Sequence, residues 1–87
     1  MASDNYDSFK QKLEEEHKFP SKYMFKFIIV KEKVQDILPF FETAEISTKK
    51  SKTGKYISVS ATIVAFSSTE IIDKYKSLSH VEGIISL

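Results

Sequence analysis

From Tyr56 to Ala65, Ile57, Val59, Ala61, Ile63 and Ala65 alternate with Tyr56, Ser58, Ser60, Thr62 and Val64. A two-residue period sends successive side chains to opposite sides of an extended chain. The segment therefore reads as a strand with one apolar face and one face of mostly small polar residues. A sheet built on such a strand is covered on one side and open to water on the other. Residues 23–30 repeat the pattern. Tyr23, Phe25, Phe27 and Ile29 form a continuous apolar face, while Met24, Lys26, Ile28 and Val30 form a mixed one. A lysine in mid-strand implies that this second face also reaches solvent.

The other segments fall into place around these two. In residues 4–16, Tyr6, Phe9 and Leu13 mark one helical face, with Asp4 as the expected cap and Asp7 at the positive end of the helix. Phe19-Pro20 terminates this helix, and Glu14, Glu15 and Glu16 at its negative end favour fraying. Val34, Ile37, Leu38 and Phe41 predict a second helix, shortened or kinked near Gln35 by Pro39. Residues 44–49 predict a modest strand with Ala44, Ile46 and Thr48 inward. Residues 51–55 then form a hairpin loop in which Gly54 supplies a positive φ. Ser67 and Glu70 have capping-box spacing, ahead of a helix carrying Ile71, Ile72, Tyr75 and Leu78. Gly83 precedes a last strand at 84–87.

The expected order is a helical arm followed by β-α-β-β-α-β. That is the ferredoxin-like α+β sandwich, a four-stranded antiparallel sheet with two helices on one face. Residues 1–18 are assigned to the arm and 19–87 to the domain. An 87-residue chain accommodates one such domain and buries roughly 60% of its unfolded surface. Seven Phe and four Tyr supply the core area without disulfides, since there is no Cys.

Composition also excludes chemistry. The thirteen basic residues are all Lys, set against twelve acids. Without Arg there is no planar fork for phosphate or guanine, which disfavours phosphoryl-transfer enzymes and sequence-specific DNA binding. Residues 51–55 do not form a phosphate-binding P-loop, because the upstream Gly and the following Ser or Thr are missing. His17 and His80, without Cys, make a poor zinc set. No serine lies in a nucleophile motif, and Glu45 is the one mid-strand acid. The expectation is a non-enzyme that needs no cofactor. Residues 1–17 are polar, and the longest apolar run is Phe27-Ile28-Ile29-Val30, so a soluble cytoplasmic protein without a membrane span is expected.

Two surface features remain as candidates. Lys49, Lys50, Lys52 and Lys55 concentrate charge around the hairpin, suiting a phosphate, a carboxylate or an acidic partner, though lysines also keep hairpin tips soluble and blunt strand edges. The open face brings Lys26, Glu45, Ser47, Ser58, Ser60 and Thr62 together. RNA-recognition modules carry stacking aromatics there, and this face offers only Tyr56, so RNA is disfavoured. Small side chains instead admit another sheet, a helix or a second copy.

Phe19-Pro20, the aromatic strand with Phe25-Lys26, the stretch Ser51-Lys52-Thr53-Gly54-Lys55-Tyr56-Ile57-Ser58-Val59-Ser60, and the closing Val81-Glu82-Gly83-Ile84-Ile85 resemble the YbeD-like family of small bacterial proteins. The chain departs from that family's pattern at Pro39 and at Ile57, where His is frequent. The resemblance implies a ferredoxin-like fold, a shape similar to amino-acid-binding regulatory (ACT) domains, and a regulatory role with a link to lipoate metabolism. The expected function is a regulatory or adaptor domain that binds a small metabolite or a partner protein, with homo-oligomers expected. The candidate contacts are Lys26, Lys52, Lys55, Tyr56, Ser58 and Ser60. The alternative is a nucleic-acid-associated protein that uses the lysine loop without sequence preference.

Overall fold

The structure, a computed structural model, describes residues 6–86. The expected cap Asp4 and the last strand residue, Leu87, lie outside them. The elements run α1 (Asp7–Glu16), β1 (Ser21–Val30), α2 (Val34–Ile37), β2 (Glu45–Lys50), β3 (Tyr56–Ala65), α3 (Ser68–Leu78) and β4 (Ile84–Ser86). Tight 3-10 turns at Lys31–Lys33 and Leu38–Phe41 flank α2. The fold is α+β. One antiparallel sheet runs in the order β2-β3-β1-β4, and the helices cover one of its faces.

Register explains why that face is the buried one. Phe25 lies opposite Ala61 and Phe27 opposite Val59, and all four are buried. Facing a large ring with a small residue lets the sheet and the helices interdigitate without voids. Ile37, Phe41, Ile71, Ile72, Leu78 and Leu13 close the core from the helical side. The intervening residues Met24 and Lys26 are exposed on the other side.

Local chemistry sets the element ends. Ser67 Oγ accepts the Glu70 amide at 3.1 Å, and Glu70 Oε1 accepts the Phe66 amide at 2.6 Å. The expected capping box is thus present, with its return bond one residue further out. Gly54 adopts φ +74° in the hairpin, where its amide donates to the Ser51 carbonyl at 2.9 Å. β1 begins at Ser21, two residues before the expected start at Tyr23.

The cover of β2 needs correction against the sequence-based expectations. The helix at Pro39 is a single α-turn, because the ring ends regular hydrogen bonding and the chain continues as a 3-10 turn. So short an element covers little of β2. Ile46 and Thr48 sit on the inner side by register, opposite Ala61 and Val59, yet both are exposed, and only Ala44 of the expected inward set is half-buried. The N-terminal helix α1 packs on the rest of the domain, with its Leu13 buried in the common core. Phe9 packs edge-on against Tyr75 at 5.5 Å, and the buried Ser68 hydroxyl donates to Glu14 at 2.7 Å.

Candidate functional site

The register of the sheet gathers the open-face residues into rows. Ser47 of β2, Ser60 of β3 and Lys26 of β1 oppose one another in one row. Lys49, Ser58, Ile28 and Ile85 form the next row. Neighbouring strands lie about 4.8 Å apart, so Lys26 and Lys49 flank the two serines from opposite sides. One shallow depression of about 430 Å³ is lined by Lys26, Ser47, Lys49, Ser58 and Ser60. An adjoining one of about 520 Å³ adds Lys50, Lys52, Tyr56 and Ile28, and shares Lys49 and Ser58.

Of the residues expected from sequence, Lys26, Ser58, Ser60, Tyr56 and Lys52 are therefore brought together. Lys55 is not. It lines neither depression, and its carbonyl instead accepts the Lys31 amide at 3.1 Å, tying the hairpin to the end of β1. Lys49, expected at the end of β2 and counted with the hairpin lysines, was not among the residues assigned to the open face. It stands within β2, and its signal was its two-residue offset from Ser47. Among the described residues the ion pair is Lys33–Glu82 at 3.8 Å, so no carboxylate neutralises Lys26, Lys49 or Lys52. Such a surface can hold an anion through ammonium groups and donate to it from hydroxyls.

A second cavity lies on the helical side. It is a groove of about 630 Å³ between α1, α3 and the β1–β4 end of the sheet, with Tyr6, Phe9, Tyr23, Tyr75, Ile84 and Ser86 on its walls. Among the described residues no charged side chain lines it. The Tyr23 and Tyr75 hydroxyls meet at 2.9 Å. Burial, followed by the hydrogen bond to Tyr23 and the charge of that neighbour, pushes the Tyr75 phenol well above its ordinary value. Sequence reading missed this groove because its walls come from segments far apart in the chain. The available signal was a tyrosine at the start of an apolar strand face and another in a helical stripe, each with a hydroxyl to satisfy.

The Tyr75 shift has a measurable sign. An unfolded phenol titrates near about pH 10 and the folded one higher. Stability from this group is fully present below about pH 10 and is lost as pH rises through the folded value. Melting temperature should therefore fall more steeply above about pH 10 in the wild type than in Tyr75→Phe, as read by circular dichroism at graded pH. Equal slopes would remove Tyr75 as the source.

His17 closes α1, with Nδ1 3.2 Å from Ser21 Oγ and its ring beside Phe19 and Tyr23. No helix among the described residues is long and apolar enough to cross a membrane.

Fold and site together define a small α+β domain with one open, basic sheet face and one uncharged aromatic groove. The family described as protein of unknown function (DUF493) matches residues 14–87, and the chain belongs to it, in agreement with the YbeD-like resemblance. No curated protein and no solved structure gives a significant match.

Proposed function

We propose that this chain is a non-catalytic regulatory or adaptor module on a ferredoxin-like frame, binding an anionic metabolite or an acidic partner on its open sheet face. Support for the frame comes from the strand order β2-β3-β1-β4 with every neighbouring pair antiparallel, as two interleaved β-α-β units require. Support for the site comes from one observation, the pair of adjacent rows in which Lys26 and Lys49 bracket Ser47, Ser58 and Ser60 with no acid in either row. Glu45, the acid of this face, lies one row further along, opposite Thr62.

A second reading is favoured by the aromatic groove, whose uncharged walls suit an apolar or aromatic ligand. One screen separates the two. Thermal shift at about 1 mM of phosphosugars, nucleotides, amino acids and medium-chain acids should reveal a ligand with a dissociation constant near 10 μM. Such a ligand adds roughly 2.7 kcal/mol, or about 10 °C or more for a domain of this size. The shift should vanish in a Lys26→Ala/Lys49→Ala variant. A shift that survives those substitutions would move binding to the groove. Nucleic-acid association through the hairpin predicts a steep fall of affinity with salt and its loss in Lys52→Glu/Lys55→Glu. Unchanged DNA binding by that variant would eliminate the alternative.

A further inference from the structure

We infer that β2 is a docking edge for a second copy of this chain, paired antiparallel about Ser47 so that one sheet runs continuously through both copies. The argument starts from the backbone. β2 is the terminal strand on its side of the sheet, and all six of its residues are exposed. The Ser51 amide donates to the Tyr56 carbonyl at 2.9 Å, extending the register in which Lys50 opposes Ile57. Hydrogen-bonded and non-bonded pairs alternate along an antiparallel ladder, so the odd-numbered residues of β2 turn their amides and carbonyls towards β3. Ile46, Thr48 and Lys50 turn theirs outward, where no strand of the described residues meets them.

Charge then selects the occupant and the register. Glu45 and Lys49 lie two residues to either side of Ser47, on the open face with it. A two-fold axis through Ser47 sets Glu45 of each copy opposite Lys49 of the other. Because the outward bonds come from the even residues, these are non-hydrogen-bonded pairs, the class in which opposing side chains lie closer. The same axis places Ile46, 38% exposed for want of helical cover, against Thr48 of the second copy. It also places Lys50 against Ala44, so the edge lysines meet an acid or a small residue and not each other.

Neighbouring registers lack this match. An axis through Thr48 sets Lys49 opposite Ser47, and one through Ile46 sets Glu45 opposite Ser47. On the opposite side of the sheet the edges are β4, whose three described residues Ile84–Ser86 carry no charge to match, and the part of β1 beyond its pairing with β4, which ends at Phe27. Centred on Met24, the latter would oppose Lys22 to Lys26. The self-complementary edge is β2, and a second copy is the partner whose charges it fits.

Sedimentation velocity on the full chain, from low to high micromolar concentration at low salt, tests this. The wild type should shift from monomer to dimer. Glu45→Lys and Lys49→Glu should each weaken association roughly tenfold or more, and the double swap should restore it, since it rebuilds both pairs with signs reversed. Thr48→Pro, which removes an outward amide without touching the bonds to β3, should be monomeric with an unchanged circular dichroism spectrum. A wild type that stays monomeric throughout, single swaps that associate as well as the wild type, or a double swap that fails to recover would each overturn the inference.

Discussion

Phe25→Ala is expected to destabilise the domain by about 3–5 kcal/mol, whereas Lys26→Ala, one residue along, should change stability by no more than about 0.5 kcal/mol. The contrast follows from the pleat. Phe25 is fully buried, with its ring 5.0 Å from Tyr23, 5.4 Å from Phe41 and 4.8 Å from Tyr75. Its cross-strand neighbour, Ala61, is too small to fill the space a truncation would leave. Lys26 points to the opposite face, where its removal opens no cavity. A domain of this size has only about 5–15 kcal/mol to lose, so Phe25→Ala should be partly unfolded near its working temperature. Urea denaturation of the two variants measures the difference. Similar midpoints for both would mean that the sheet faces have been assigned the wrong way round.

Strand alternation carried most of the architecture into the sequence. A period of two cannot slip by one residue without exposing Phe25 and Phe27 and burying Lys26, so the faces of β1 and β3 were fixed by side chains alone. The capping box was equally readable, because Ser67 and Glu70 act within a few residues of each other. What depends on distant segments was not readable. The exposure of Ile46 is set by how little of β2 the single turn of α2 reaches, and Pro39 announced a short helix without saying which strand it would leave bare. The candidate face shows the same division. Lys26, Ser58 and Ser60 could be read from strand parity, whereas placing Lys49 beside Ser58 required the register of β2 on β3. The Tyr23–Tyr75 contact joins residues 52 positions apart, and no local pattern encodes it.

The helix α1 provides the second large effect. Leu13→Ala should cost about 2–5 kcal/mol, the range for a buried leucine whose surroundings collapse only in part. The sequence of α1 is polar apart from a narrow stripe, and an isolated helix of ten residues is marginal in water. Its stability must therefore come from tertiary contacts, and Leu13, 3% exposed, is its one buried residue. Phe9 on Tyr75 and Glu14 on Ser68 add contacts on either side of it. If the helix were an independent arm, Leu13→Ala would leave the urea midpoint unchanged, and the α1 amides would exchange as fast as those of an unfolded chain. If it is part of the core, the midpoint falls, and the α1 amides exchange at the rate of global unfolding. The second outcome has a functional consequence, because Tyr6 and Phe9 form one wall of the aromatic groove. A ligand held there would stabilise α1 and the sheet together, and Leu13→Ala would weaken its binding without removing a single contact to it.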